Sequence, residues 1–147
     1  MKHLIFGAAL AVSAVTAAFA ADTPSVEGTQ LYIVNLQDGA SVQSPVTVIF
    51  GLSGMGVAPA GVEKESTGHH HIYLNRPAFG EAEGDAEIAQ NGIPSDENHL
   101  HFGGGQTQTT LDLTPGEHTI QLVLGDQFHV PHNPPVVSDL ITITVTE

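Results

Sequence analysis

Thr67-Gly68-His69-His70-His71-Ile72-Tyr73-Leu74 sets three adjacent histidines directly before residues of high strand propensity. A strand sends successive side chains to opposite faces, so His69, His71 and Tyr73 share one face and His70, Ile72 and Leu74 the other. Ile72 and Leu74 belong in a core. His70 then stands at the mouth of the core face, while His69 and His71 point away from it. One ion cannot take all three imidazoles unless the strand bends at its start.

The segments on either side of this stretch read the same way. Residues 30–36 (QLYIVNL) are apolar, β-branched and aromatic, and Asp38-Gly39 follows them as a turn. Pro45 opens a second strand over residues 46–52, with Val46, Val48 and Phe50 on one face; proline is tolerated there because a first residue's ladder donor is least missed. Residues 106–113, 118–125 and 140–146 alternate in turn, the last most clearly through Ile141, Ile143 and Val145. Residues 53–68 carry four glycines and no helical period, so they read as a loop. The long stretch 75–98 contains Glu81, Glu83, Asp85, Glu87, Asp96 and Glu97, with one helical turn expected over residues 85–90. Short strands at near-regular spacing and almost no helix predict an all-β fold, an antiparallel β-sandwich of about seven strands.

Two further histidine clusters lie downstream, His99-Leu100-His101 and His129-Val130-Pro131-His132, so eight of the nine histidines fall between residues 69 and 132. Neutral imidazole is the commonest metal ligand among side chains. The chain has no cysteine, which removes thiolate sites and disulfides and leaves histidine, carboxylate, methionine and backbone oxygen. That donor set favours copper or zinc over calcium or magnesium, which require oxygen cages. The expected metal ligands are His69, His71, His99, His101, His129 and His132, with His70, His118 and Met55 in reserve. Asp126 and Glu117 are the expected acceptors that orient ligand rings. Arg76 is expected to pair with a carboxylate, Tyr73 to pack, and the acidic residues 81–87 to help capture the ion or contact a partner.

Lys2, an apolar run over residues 4–19 and Ala18-Phe19-Ala20 read as a signal peptide over residues 1–20, removed on export. Residues 21–29 then form a flexible leader and residues 30–147 a single domain. No later apolar run approaches a membrane span, so the expected location is the periplasm or outside the cell. Beyond residue 20 only Lys64 and Arg76 oppose sixteen Asp and Glu, a net charge near −14 with neutral histidine. Such a charge repels nucleic acid and anionic lipid and favours cationic partners.

Gly51-x-x-Gly54-Met55-Gly56-Val57-Ala58-Pro59-Ala60-Gly61 and Thr67-Gly68-His69-His70-His71 resemble the DUF4399 family of exported bacterial domains. So do His99-Leu100-His101-Phe102-Gly103-Gly104-Gly105-Gln106-Thr107, Pro115-Gly116-Glu117-His118-Thr119 and Gly125-Asp126-x-x-His129-Val130-Pro131-His132-x-Pro134-Pro135. The resemblance spans most of residues 29–147. It implies one exported immunoglobulin-like domain and implies no chemistry.

Enzymatic readings have less behind them. Ser53, Ser66, Ser95 and Ser138 lie near turns but sit in no nucleophile motif, and Gly103-Gly104-Gly105 opens no helix to cradle a phosphate. His99-x-His101 shares the His-x-His spacing of sandwich-fold copper/zinc superoxide dismutases, without their disulfide or surrounding signature. The expectation is a non-catalytic metal-binding module, served by a metal-donor or envelope protein. The alternative is a structural or protein-binding envelope domain whose histidines brace its loops through hydrogen bonds.

Overall fold

The structure is a computed structural model that describes residues 23–147; the export segment expected over residues 1–20 lies outside them. In chain order the elements are β1 Gln30–Ile33, β2 Ser41–Gln43, β3 Val46–Ser53, β4 Gly56–Val57, β5 Thr67–Leu74, α1 Asp85–Asn91, β6 His99–His101, β7 Gln108–Leu111, β8 Gly116–Gly125 and β9 Ile141–Thr146. One sheet runs β1-β3-β7. The other runs β2-β9-β8-β5-β4, with β6 also paired to β5. The orders β1-β3-β7 and β9-β8-β5 follow the A-B-E and G-F-C orders of an immunoglobulin-like sandwich. The fold is all-β and sandwich-like.

Each of the six strands expected from alternation is present. The other three, β2, β4 and β6, have only two or three residues each, too few for a period of two to register. Two pairings depart from a purely antiparallel sandwich, because β2 lies parallel to β9 and β4 parallel to β5. Both are short segments that flank the end of a longer strand. The single expected helical turn is a seven-residue helix, α1.

The main core lies between the sheets, where Val46, Val48 and Phe50 of β3 meet Ile72 and Leu74 of β5, Ile120, Leu122 and Leu124 of β8 and Ile143 of β9. β5 is the central element, and every residue from Gly68 to Leu74 is buried. Its second face is covered by residues 75–98, which fold back over the sheet. Tyr73, Val123 and Ile93 form a smaller apolar cluster there, with Phe79, Ile88 and Val137 packed against it. The acidic stretch is therefore a cover with its own apolar underside, and Glu81, Glu83 and Glu87 are left in solvent.

The leader, expected to be flexible, is tied to the domain where it is described. Asn133 N–H donates to Thr23 C=O (2.9 Å), Ser25 N–H to Asn133 C=O (3.2 Å), and the Thr23 hydroxyl to Asp126 Oδ2 (2.6 Å). Nothing in the composition of residues 21–29 marks these bonds, because their partners lie a hundred residues away. Among the described residues, no helix is long and apolar enough to cross a membrane.

Candidate metal centre

Period two on β5 sorts the histidine run as its alternation requires. Antiparallel pairing with β8 sets His69 opposite Gly125, His70 opposite Leu124 and His71 opposite Val123. His70 enters the sandwich core against Phe50, with ring centroids 5.0 Å apart. His69 and His71 emerge on the other face, both fully buried. β6 lies along the far edge of β5 with His101 opposite His71, which adds a third imidazole to that face.

The fourth comes from the loop between β8 and β9. Asp126, itself buried, organises that loop. Its Oδ1 accepts the backbone N–H of Phe128 (2.8 Å) and of Val130 (2.9 Å), and its backbone C=O accepts His129 N–H (3.0 Å). The turn so closed leaves His129 at φ 68°, a left-handed conformation that a residue other than glycine adopts only under local constraint. Ile93 N–H of the covering segment donates to His129 C=O (2.8 Å), so the cover and the loop brace each other.

His69, His71, His101 and His129 form a compact group. All six pairs of rings have centroids between 4.6 and 5.9 Å apart. One nitrogen from each ring can be chosen so that all four lie within 4.8 Å of one another. Nitrogens held tetrahedrally at about 2.0–2.1 Å from a zinc ion stand about 3.3 Å apart, so this set would have to close by up to about 1.5 Å to hold one such ion. Close backbone approach makes the space. A side chain at Gly125 would put its Cβ 2.7 Å from His71 Cε1, and one at Gly103 would put it 2.4 Å from His101 Cε1.

Three of the four rings are held neutral, and several of the group's nitrogens have no partner within the protein. His69 Nε2 and His129 Nδ1 are 3.1 Å apart, but His69 Nδ1 and both nitrogens of His71 are buried without a hydrogen-bond partner. Burial, followed by the neighbouring His69, His101 and His129, pushes the His71 pKa down to about 2. Burial, then His129 and His101, lowers His69 to about 4. Burial, then His129, also lowers His101. Near neutral pH these rings present lone pairs with no proton to displace.

The remaining candidates lie elsewhere. His99 shares a strand face with His101 but faces Tyr73, whose ring it meets edge-on at 4.8 Å. Its Nε2 receives an N–H from Arg76, which can only donate, so its Nδ1–H is the donor to Asp96 Oδ1 (2.9 Å). Both ring nitrogens are engaged. His132 is buried between two strands, its nitrogens 3.3 Å from Leu124 C=O and 3.2 Å from Thr67 C=O. His118 stands between Asn75 Oδ1 (3.1 Å) and Thr114 C=O (2.8 Å). Met55 packs against the sandwich core. These four are not brought to the group, and neither is His70, although both of its nitrogens are likewise buried without a hydrogen-bond partner.

Asp126, expected to orient a ring, instead accepts from backbone N–H groups and the Thr23 hydroxyl and so positions the loop that carries His129. Glu117 is exposed at the opposite end of ten-residue β8 from Gly125 and cannot reach the group. Arg76 pairs with a carboxylate as expected, that of Asp85, and lies over the Tyr73 ring with Cζ 4.3 Å from its centroid. A cavity of about 560 Å³ opens between Arg76, His99 and α1, and none of the four grouped histidines lines it.

A family model described as a domain of unknown function, DUF4399, matches residues 48–146. The chain belongs to the DUF4399 family. All four grouped histidines and Asp126 fall inside the matched span, while β1 and the Thr23 tether precede it. Comparison with curated proteins and with solved structures returned no match.

Proposed function

We propose that this DUF4399 protein is an exported metal-binding module that holds one copper or zinc ion through His69, His71, His101 and His129. One observation carries the reading. Four imidazoles from three separate elements converge with their nitrogens within 4.8 Å, and the group includes three buried nitrogens without a partner. A buried polar atom without a partner is destabilising by about 1–3 kcal/mol, and here one ion would relieve more than one. An all-nitrogen set suits copper or zinc and gives a hard cation no oxygen cage. The signal-like residues 1–20 support a location in the periplasm or outside the cell, where a metal donor or another envelope protein would be the partner. The role we assign is binding, without catalysis.

The alternative role, in which histidines brace loops, describes His99, His118 and His132 well, since His99 is bonded at both nitrogens and His118 and His132 each stand between two oxygen acceptors, one of which a neutral ring can serve. It leaves the orphaned nitrogens of His69 and His71 without a purpose. The test is elemental analysis of untagged protein purified from the periplasm. The proposal predicts close to one copper or zinc per chain in the wild type and none in His71→Ala. Wild-type protein without metal, even after incubation with both ions, would reduce the group to packing.

A further inference from the structure

The four histidines are not equivalent, and their differences point to how an ion enters and leaves, an inference that rests on the metal-binding role proposed for the group. His69 and His71 stand on the central strand of the larger sheet and are fully buried. His129 is half-buried, and its backbone is fixed by Asp126 and by Ile93 N–H. His101 alone of the four is exposed. It sits at the end of a three-residue strand that pairs with β5 and lies off the main strand path. The backbone on either side of β6 is anchored, by Phe102 N–H to His70 C=O (3.1 Å) and Leu74 N–H to Asn98 C=O (2.9 Å). The His101 ring can therefore swing into solvent by side-chain rotation alone. Release of any other member requires the central strand to move or the Asp126 turn to open.

We propose that His101 is the exchange ligand. Its nitrogen leaves the ion first, and a donor group carried by a chelator or a metal-bearing partner (an imidazole, a thioether or a carboxylate) takes its position. One metal–nitrogen bond breaks as one metal–donor bond forms, and the charge of the ion does not change. His69, His71 and His129 hold the ion through the exchange, and the bound metal is cargo.

The experiment follows release of zinc(II) from loaded, untagged protein to an excess of a chromophoric pyridylazo chelator. For the wild type, the release rate should rise with chelator concentration, because the incoming donor takes part in the step. His101→Ala should still bind one zinc and release it faster, on the order of tenfold or more, since differences in affinity fall mostly on the off-rate. Dissolved imidazole should slow that variant back toward wild type by filling the solvent-facing position. Gly103→Ala, which crowds His101 while leaving all four ligands in place, should also speed release. His71→Ala should hold no zinc, with or without imidazole. Unchanged release from His101→Ala, or loss of binding as complete as in His71→Ala, would overturn the route while leaving the site intact. A wild type that takes up no zinc would overturn the metal-binding reading itself.

Discussion

At the scale of single residues, two properties decide a histidine's part here. One is whether its ring nitrogens are already engaged. The other is whether it stands on the face where the group gathers, as His70, whose nitrogens are also without a partner, does not. His132 is as deeply buried as His71, yet it meets two backbone carbonyls while His71 meets none. The two should therefore separate in a paired experiment. His71→Ala should abolish metal binding, an effect larger than the 10–100-fold typical of losing a supporting partner of a metal ligand. His132→Ala should lower unfolding stability by about 1–3 kcal/mol through the loss of a buried hydrogen bond and of packing, with one ion per chain still bound. Titration with zinc and denaturant melts of both variants check this. The sequence carried part of the distinction. Strand alternation separates His70 from His69 and His71 with no structure at all. It cannot separate His99 from His101, which share a face two residues apart. That outcome turns on Arg76, twenty-three residues upstream of His99, reaching its ring.

At the scale of elements, the loop from Asp126 to Pro131 and the covering segment 75–98 do what no single strand does. The Asp126 carboxylate gathers two backbone N–H groups, and the turn so formed delivers His129 over the face of β5. Asp126→Ala would leave the N–H groups of Phe128 and Val130 without that acceptor, the latter in a buried position. It should lower stability by roughly 2–3 kcal/mol and weaken metal binding by about 10–100-fold, while the four ligands remain in the chain. Calorimetric titration of this variant against the wild type measures both. Asp126 was visible in the sequence as a carboxylate beside a histidine cluster, but its role was not. A carboxylate that accepts from a histidine and one that accepts from its own loop have the same spelling. The long strands were legible because eight or ten residues show their alternation, whereas β6, which carries His101, is three residues long and shows none.

At the scale of the whole molecule, the middle of the larger sheet, β5 and most of β8, is buried on both faces, by the sandwich core on one and by the covering segment on the other. Imidazoles are consequently held uncharged far below their usual range. His70 lies in the core, and burial lowers its pKa from 6.5 to about 4, an effect the Gln106 backbone offsets only in part. A histidine whose folded pKa is depressed binds fewer protons in the fold than in the unfolded chain. Its neutral form carries no penalty above pH 6.5, and stability falls as the pH drops from 6.5 toward 4. His70 alone accounts for a loss of roughly 3 kcal/mol across that window, and His69 and His71 shift in the same direction. The melting temperature of chelator-treated protein should be flat above pH 6.5 and decline steadily below it. A His70→Leu variant should show a shallower decline.

All three scales meet in one site, where His69, His71, His101 and His129 would hold a single copper or zinc ion. The first measurement to make is thermal unfolding of untagged protein at neutral pH, with chelator and then with each ion in turn. An ion that binds only the folded chain stabilises it by about 2.7 kcal/mol at a hundredfold excess over its dissociation constant. The melting temperature of the wild type should fall on chelation and recover with copper or zinc, while that of His71→Ala should respond to neither. A wild-type midpoint indifferent to chelator and to both ions would contradict a metal site.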